Sequence, residues 1–313
     1  MGTGLVWSMT ISTILLTPTD VADAARRVAP YVRRTPVLRA EVDGRPVVFK
    51  LEHLQRTGSF KLRGAVNAML AGDGSSHVVT ASGGNHGLAV ATAAALVGRP
   101  ATVFVPESVP SGKARRIEAA GARLVKRGAI YSEAVDAALV EASAIGGICL
   151  PAYNDPFVVA GQGTCALEVI SQVSDVDTLV VAVGGGGLAA GTVLASGGRT
   201  VVAVEPVNCC ALHNALAAGA PVDSTVDSVA SSALGATRTG EIPFAVLQPS
   251  SVHSVLVTDD EILAARDRLW EEFRLAVEPA AAAPFAAWLA GHVPGDLPCF
   301  VLSGSNTDWE AKP

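Results

Sequence analysis

The chain has 313 residues, half of them apolar, and its 29 acidic against 23 basic residues leave a net charge of −6, a length that allows a sizeable core and two sub-domains. The acidic balance and the absence of any Lys/Arg block exclude nucleic acid as the main partner, because backbone phosphates need a concentrated basic face; they leave room for a small anionic ligand. The five cysteines, Cys149, Cys165, Cys209, Cys210 and Cys299, are odd in number and in no metal-ligand spacing, which fits a reducing cytoplasm better than a disulfide framework.

At the N-terminus, the apolar stretch from Leu5 to Leu16 has no basic flank and is too short and too polar in its middle to span a bilayer. It reads as a leader into the fold, with Met9 as an alternative start. Helical spacing of Val21, Ala24, Ala25, Val28 and Ala29 predicts a helix over Asp20 to Val32 with Asp20 as its N-cap. Val47 to Leu51 reads as a strand, which leads through a loop at Gln55 to Ser59 into a helix starting near Lys61. A strand, loop, helix cadence follows: Val78 to Ala81 then Asn85 to Val97, Ala101 to Val105 then Ser111 to Gly121, Arg123 to Lys126 then Ser132 to Ile145. Pro151 to Pro156 interrupts it and is the expected domain crossing. The cadence resumes with Thr178 to Val183 and a helix from Leu188, then Thr200 to Glu205 and a helix over Ala211 to Ala218. Ala280 to Ala283 reads as helix, and Val301 to Asn306 as a strand ending in Ser303. Short apolar strands alternating with helices imply α/β architecture with parallel sheets covered on both faces.

Four segments carry chemistry. The first, KLEHLQRTGSFKLRGA from Lys50 to Ala65, puts Lys61 where a Gly-Ser turn meets a new helix; alone, such a lysine is a solvated helix residue. The second, ASGGNHG from Ala81 to Gly87, is either an anion site made of free amides at a helix start or a tight turn with Asn85 as cap and His86 at the surface. The third is Gly184 to Gly187 after a strand, whose four glycines carry an entropic cost that close approach to a phosphate would explain. Its spacing matches neither the dinucleotide fingerprint nor the triphosphate loop. The fourth, VLSGSN from Val301 to Asn306, brings Ser303 to the carboxyl edge of the sheet, where ligands of open α/β sheets gather.

Taken in order, SFKLRGA around Lys61, SGGNHG from Ser82, AGQGTCALE from Ala160, VGGGGLAAG from Val183 and LSGSN from Leu302 resemble the threonine/serine dehydratase group of fold type II pyridoxal-phosphate enzymes. The resemblance, which runs from about Asp20 to Asn306, implies a tryptophan synthase β-like fold: two three-layer α/β/α domains with mostly parallel sheets and the active site in the cleft between them. Residues 1–74 and 151–313 would form the large cofactor-binding domain and 75–150 the small domain with the substrate loop. The resemblance further implies that Lys61 holds pyridoxal 5′-phosphate as a Schiff base and then acts as the Cα base, and that Phe60 lines the ring site. Asn85 would meet the cofactor's 3′-oxygen, Gly184, Gly185, Gly186 and Gly187 with the Leu188 amide its phosphate, and Ser303 its pyridine nitrogen. Ser82, Gly83 and Asn85, with His86 near by, would receive the substrate carboxylate. A hydroxyl at the pyridine nitrogen makes a weaker electron sink than a carboxylate would, which favours rapid loss of the β-hydroxyl, with the cofactor phosphate as proton donor to it. The implied activity is β-elimination on L-threonine or L-serine to a 2-oxo acid and ammonia, in a cytoplasmic homodimer with no nucleic-acid or membrane partner.

Some positions depart from the family. Serine racemases carry a second serine where this chain has Gly83, so racemisation is not expected to be the main activity. Glu205 in AVEPVNCCA, with a Cys209 carbonyl, matches half of a divalent-cation site, but the second acid's place is taken by Ala211; no metal is expected, and Glu205 also reads as a helix cap or ion-pair partner. Ser232 and Ala233 stand where relatives often have an acid and a serine, and Tyr153 with Asn154 lies in a loop bordering the pocket, so specificity is open to change. The chain stops soon after Asn306, so feedback through a regulatory domain is not expected. The alternatives are β-replacement as in cysteine synthases, racemisation, and a pyridoxal-phosphate-binding protein without turnover.

Overall fold

The computed structural model describes residues 16–72 and 76–307. The expected leader therefore lies outside the described residues, except for Leu16, which is buried. In chain order the elements are α1 (Pro18–Val28), β1 (Val37–Val42), β2 (Arg45–Lys50), α2 (Lys61–Ala71), β3 (Val78–Ala81), α3 (Asn85–Val97), β4 (Ala101–Val105), α4 (Ser111–Ala119), β5 (Arg123–Lys126), α5 (Tyr131–Ala144) and β6 (Ile148–Cys149). There follow α6 (Pro156–Gln172), β7 (Thr178–Ala182), α7 (Gly187–Ala195), β8 (Thr200–Pro206), α8 (Ala211–Ala218), α9 (Ser231–Leu234), α10 (Glu241–Leu247), β9 (His253–Val257), α11 (Asp259–Phe273), α12 (Pro279–Leu289) and β10 (Pro298–Val301).

Among the described residues, ten strands make two sheets. One has the order β1-β2-β10-β7-β8-β9 and the other β5-β4-β3-β6; β1 pairs antiparallel with β2, and the other pairs are parallel. In β7, Val180 and Ala182 face a cluster around Phe49, Phe285 and Phe300 under α11 and α12, whereas Leu179 and Val181 face α6 and α7. Because side chains alternate along a strand, a strand covered on both faces must be apolar throughout, which is why its sequence is an unbroken apolar run. In the smaller sheet, Val79, Ala81 and Phe104 meet Ala134, Ala138 and Ala142 of α5, while Val78 and Val103 face α2 and α3. The helix α2 packs on both α3 and α6, so its first residue, Lys61, lies where the two sheet layers meet.

Several boundaries differ from expectation. The N-cap of α1 is Thr17, not Asp20; Pro18 takes N1, where its missing N–H goes unneeded, and the Asp20 carboxylate accepts from the Thr17 amide and hydroxyl at 2.8 and 2.7 Å. The helix stops at Val28 rather than Val32, since Pro30 has no N–H to donate to the Arg26 carbonyl and the chain goes on in turns. The last strand spans Pro298–Val301, so Ser303 lies beyond the strand rather than on it. Two signals in the sequence lie outside the expected elements: Asp43 and Gly44, both at positive φ, turn the β1-β2 hairpin, and Thr258 with Glu261 forms the capping box of α11.

A buried charge cluster fastens α2 in place. Arg63, fully buried, donates to Glu52 at 2.8 and 2.7 Å and to Glu168 at 2.8 and 2.9 Å. Lys50, also fully buried, donates to Glu168 and the Thr35 carbonyl at 2.8 Å and to Gln172 at 2.9 Å. Burial alone would raise the Glu52 carboxyl, but the Arg63 charge and hydrogen bonds, the Lys50 charge and the Thr35 hydroxyl together outweigh it and hold the group below its ordinary value. The contribution of Glu52 to stability is therefore present above the ordinary carboxylate range and is lost as pH falls through the lower folded value. Arg63→Met leaves the fully buried Glu52 without its counter-charge, while Glu168 keeps Lys50, and should lower the unfolding free energy by about 3–5 kcal/mol, read by urea denaturation; a loss under about 1 kcal/mol, the worth of an exposed pair, would contradict this account.

Candidate active site

Lys61 opens α2, directly after the turn at Gly58, whose φ of +70° favours glycine. Its amine donates to the Ala152 carbonyl at 3.0 Å and lies 5.2 Å from the centre of the Phe60 ring. Burial lowers the amine from 10.5 to about 8, and the nearby Glu278 carboxylate offsets only part of that. A substantial fraction of Lys61 is thus uncharged near neutral pH, as a nucleophilic lysine requires.

The Lys61 amine opens into a cavity of about 340 Å³. Phe60, Ser82, Gly83, Asn85, His86, Gly184, Gly185, Gly186, Gly187, Leu188 and Ser303 line the same cavity. The structure thus brings together every residue singled out from the sequence as a site residue. They arrive from the end of β3, the end of β7, the segment after β10 and the start of α2, all carboxyl-side strand exits or helix starts.

The glycine loop has two sides. Gly186, at φ +94°, turns the chain into α7, whose first-turn amides have no acceptor within the helix and carry its positive dipole end. Behind the loop, a Cβ on Gly185 would lie 2.3 Å from the Tyr153 ring, and one on Gly186 would lie 2.9 Å from Pro243. Packing from behind, besides close ligand approach in front, therefore demands glycine here.

The turn after β3 is less surface-like than either sequence alternative. His86 is buried rather than exposed, and its Nε2 lies 3.0 Å from the Leu150 carbonyl. Burial, with a smaller effect of the Lys61 charge, lowers its pKa to about 3, so the ring is neutral and Nε2 carries the proton. The Nδ1 atom is buried without a protein partner. Ser82 accepts from the Gly84 amide at 3.2 Å. A Cβ on Gly83 would lie 2.9 Å from Val109 Cγ2.

Two residues outside the expected set complete the site. Glu278, 4% exposed, accepts from Asn85 Nδ2 at 2.8 Å. Asn306 Nδ2 donates to Asn85 Oδ1 at 2.8 Å and to the Thr57 carbonyl at 2.7 Å, which fixes the direction of the Asn85 amide. Burial raises the Glu278 carboxyl against the Asn85 bond and the Lys61 charge. The signal for Glu278 is a lone acid at the mouth of an alanine-rich helix. Glu205, by contrast, accepts from the Leu212 and His213 amides, each at 2.8 Å, and caps α8. Among the described residues, no group of His, Cys, Asp and Glu is arranged to hold a metal.

These residues fit pyridoxal phosphate. The molecule needs an amine that can be neutral, a cradle for a phosphate, and hydrogen-bonding groups around an aromatic ring. Lys61 answers the first and the glycine loop with the start of α7 the second; Asn85, Ser303 and Phe60 answer the third.

Comparison with known proteins points the same way. The family model described as pyridoxal-phosphate dependent enzyme matches residues 28–304. The chain is 37% identical over 308 residues to an L-threonine ammonia-lyase of Geobacter sulfurreducens, covering 94% of this chain and 76% of that one. It is likewise 37% identical over 320 residues to a serine racemase of Bos taurus, covering 92% of each. A solved serine racemase of Dictyostelium discoideum superposes with a TM-score of 0.86 at 32% identity, covering 94% of this chain and 99% of that one. The chain belongs to the pyridoxal-phosphate dependent enzymes.

Proposed function

We propose that the protein is an ammonia-lyase that converts L-threonine to 2-oxobutanoate and ammonia, or L-serine to pyruvate and ammonia. The observation that carries this reading is a buried, low-pKa lysine facing a glycine-lined cavity in a chain whose relatives include an L-threonine ammonia-lyase. Bound pyridoxal phosphate supplies the electron sink that makes the Cα–H bond acidic. Lys61 holds the cofactor and, as a free neutral amine, takes the Cα proton. The loop Gly184 to Gly187 and the Leu188 amide hold the phosphate through backbone dipoles, since Lys61 is the one cationic side chain among the cavity's lining residues. Ser303 offers the ring a hydroxyl rather than a carboxylate. Asn85, locked by Glu278 and Asn306, keeps its second amide hydrogen for the ligand. Ser82, Gly83 and the neutral His86 border the place of the substrate carboxylate.

Racemisation is the second reading, because relatives include serine racemases. Val109 stands against it: it occupies the room a side chain at position 83 would need. We further infer a homodimer working in a reducing compartment. The five free cysteines suit the reducing compartment, and no described helix is long and apolar enough to cross a membrane.

The decisive assay follows 2-oxo acid release from L-threonine and L-serine, with and without added thiol. Oxo acid should form in both cases; thioether formation with no oxo acid would instead mark a β-replacement enzyme. Lys61→Ala should end covalent retention of the cofactor and reduce turnover by at least about 10²-fold. In the cofactor-free protein, covalent capture of pyridoxal phosphate should accelerate with pH through a midpoint at about 8, because only the neutral amine attacks; a midpoint at the ordinary 10.5 would contradict the burial of Lys61. Finally, Gly83→Ser together with Val109→Ala should raise D-serine formation from L-serine by about 10²-fold, the lower end of what a positioned acid contributes, as measured by chiral chromatography.

A further inference from the structure

Behind the cofactor-sized cavity lies a second one of about 490 Å³, between α5 and residues 238–241. Tyr131, Ala152 and Tyr153 belong to both linings, so the two tyrosine side chains form the partition. They come from different segments, Tyr131 from the start of α5 and Tyr153 from the loop joining β6 to α6. Tyr131 begins α5, and its hydroxyl donates to the Ala81 carbonyl at 3.3 Å while the residue is 56% exposed. Tyr153 lies flat against Gly185, with its hydroxyl donating to the Arg238 carbonyl at 3.3 Å.

The second cavity is apolar inside. Val135, Ala138, Leu139 and Leu150 supply its walls; of its polar residues Thr80 and Asn154 are engaged elsewhere, and the Thr239 hydroxyl is buried without a protein partner. Thr80 donates to the Leu150 carbonyl at 2.8 Å, and Asn154 accepts from the Ile242 amide at 3.0 Å. Arg238 and Glu241 face solvent as a 3.7 Å pair. A dry cavity of about 150 Å³ already accepts a benzene ring, so this one has room for an aryl or branched aliphatic group.

We propose that Tyr153, with Tyr131 beside it, sets the size limit of the substrate. The partition restricts the site to hydroxy amino acids whose β-carbon bears hydrogen or methyl, and loss of either ring opens the apolar cavity to a larger β-substituent. This inference rests on the lyase reading for its chemistry, which is unchanged: water leaves the substrate, and hydrolysis of the enamine product gives oxo acid and ammonia.

The test compares holoenzyme of the wild type, Tyr153→Ala, Tyr131→Ala and Tyr153→Phe with L-threonine and L-threo-3-phenylserine. Both alanine variants should raise the phenylserine-to-threonine ratio of kcat/KM by about tenfold or more, the scale on which apolar pockets discriminate size; Tyr153→Phe, which keeps the ring, should stay within about twofold of the wild-type ratio. Tyr131→Ala removes a half-exposed ring and keeps the test informative if Tyr153→Ala fails to fold. A general loss of cofactor binding would lower both substrates together and leave the ratio unmoved. An unchanged ratio in both alanine variants, or a wild type that accepts phenylserine as well as threonine, overturns the proposal. The ratio of affinities for the two amino acids is read separately, from the visible-band change of the bound cofactor on adding each. Absence of oxo acid from the wild type therefore overturns the lyase reading alone, while the partition is still judged by binding.

Discussion

Arg63 lies fully buried between the carboxylates of Glu52 and Glu168, with Lys50 closing the group from the other side of Glu168. Two positive and two negative charges removed from water must compensate one another in place, because an unmatched one would carry a desolvation penalty of several kcal/mol. Their carriers are β2, the turn after it, α2 and α6, so satisfying the charges fixes how these pieces meet. Lys61 is two residues from Arg63 on the first turn of α2. Its amine is delivered to the Ala152 carbonyl by a helix that has no freedom to shift without breaking this cluster.

The same low-polarity surroundings tune the site's protons. Burial disfavours charge on Lys61 and on His86 and favours a proton on Glu278, three shifts that all reduce charge inside one cavity. His86 becomes a neutral donor to the Leu150 carbonyl, and the amine becomes a usable base. The chain from Thr57 through Asn306 and Asn85 to Glu278 then settles which way the Asn85 amide points, because its oxygen can only accept, from Asn306, and its nitrogen can only donate, to Glu278.

The glycine loop combines two demands that coincide in sequence. It lines the cavity at the start of α7, and Leu234, Tyr153 and Pro243 fill the places where side chains on Gly184, Gly185 and Gly186 would sit. Tyr153 therefore both packs on the loop and lines the cavity. Selectivity and cofactor support are joined in one side chain.

What the sequence determined by itself was the strand-helix cadence from β2 to α5 and from β7 to α8, and most of the residues around the cavity, Glu278 and Tyr131 excepted. The unbroken apolar strands required a sheet covered on both faces, and Lys61, Asn85, the glycine run and Ser303 are each marked by a strand exit or a turn, signals that are local and survive without a fold. Edge strand β1 was harder to see because its half-exposed VLRAEV has no continuous apolar run, and the start of α1 turned on Thr17 and Pro18 rather than on its apolar spacing. Tertiary structure alone decided the rest. Lys50, Glu52, Arg63 and Glu168 look like ordinary surface charges until burial pairs them across separations of up to 118 residues. Glu278 reaches Asn85 across 193 positions, and Tyr131 and Tyr153 line the same two cavities from separate segments of the chain. Contacts between charged or aromatic side chains far apart in the chain leave no periodic trace, because their energy depends on a shared low-dielectric space that exists only once the chain has closed around it.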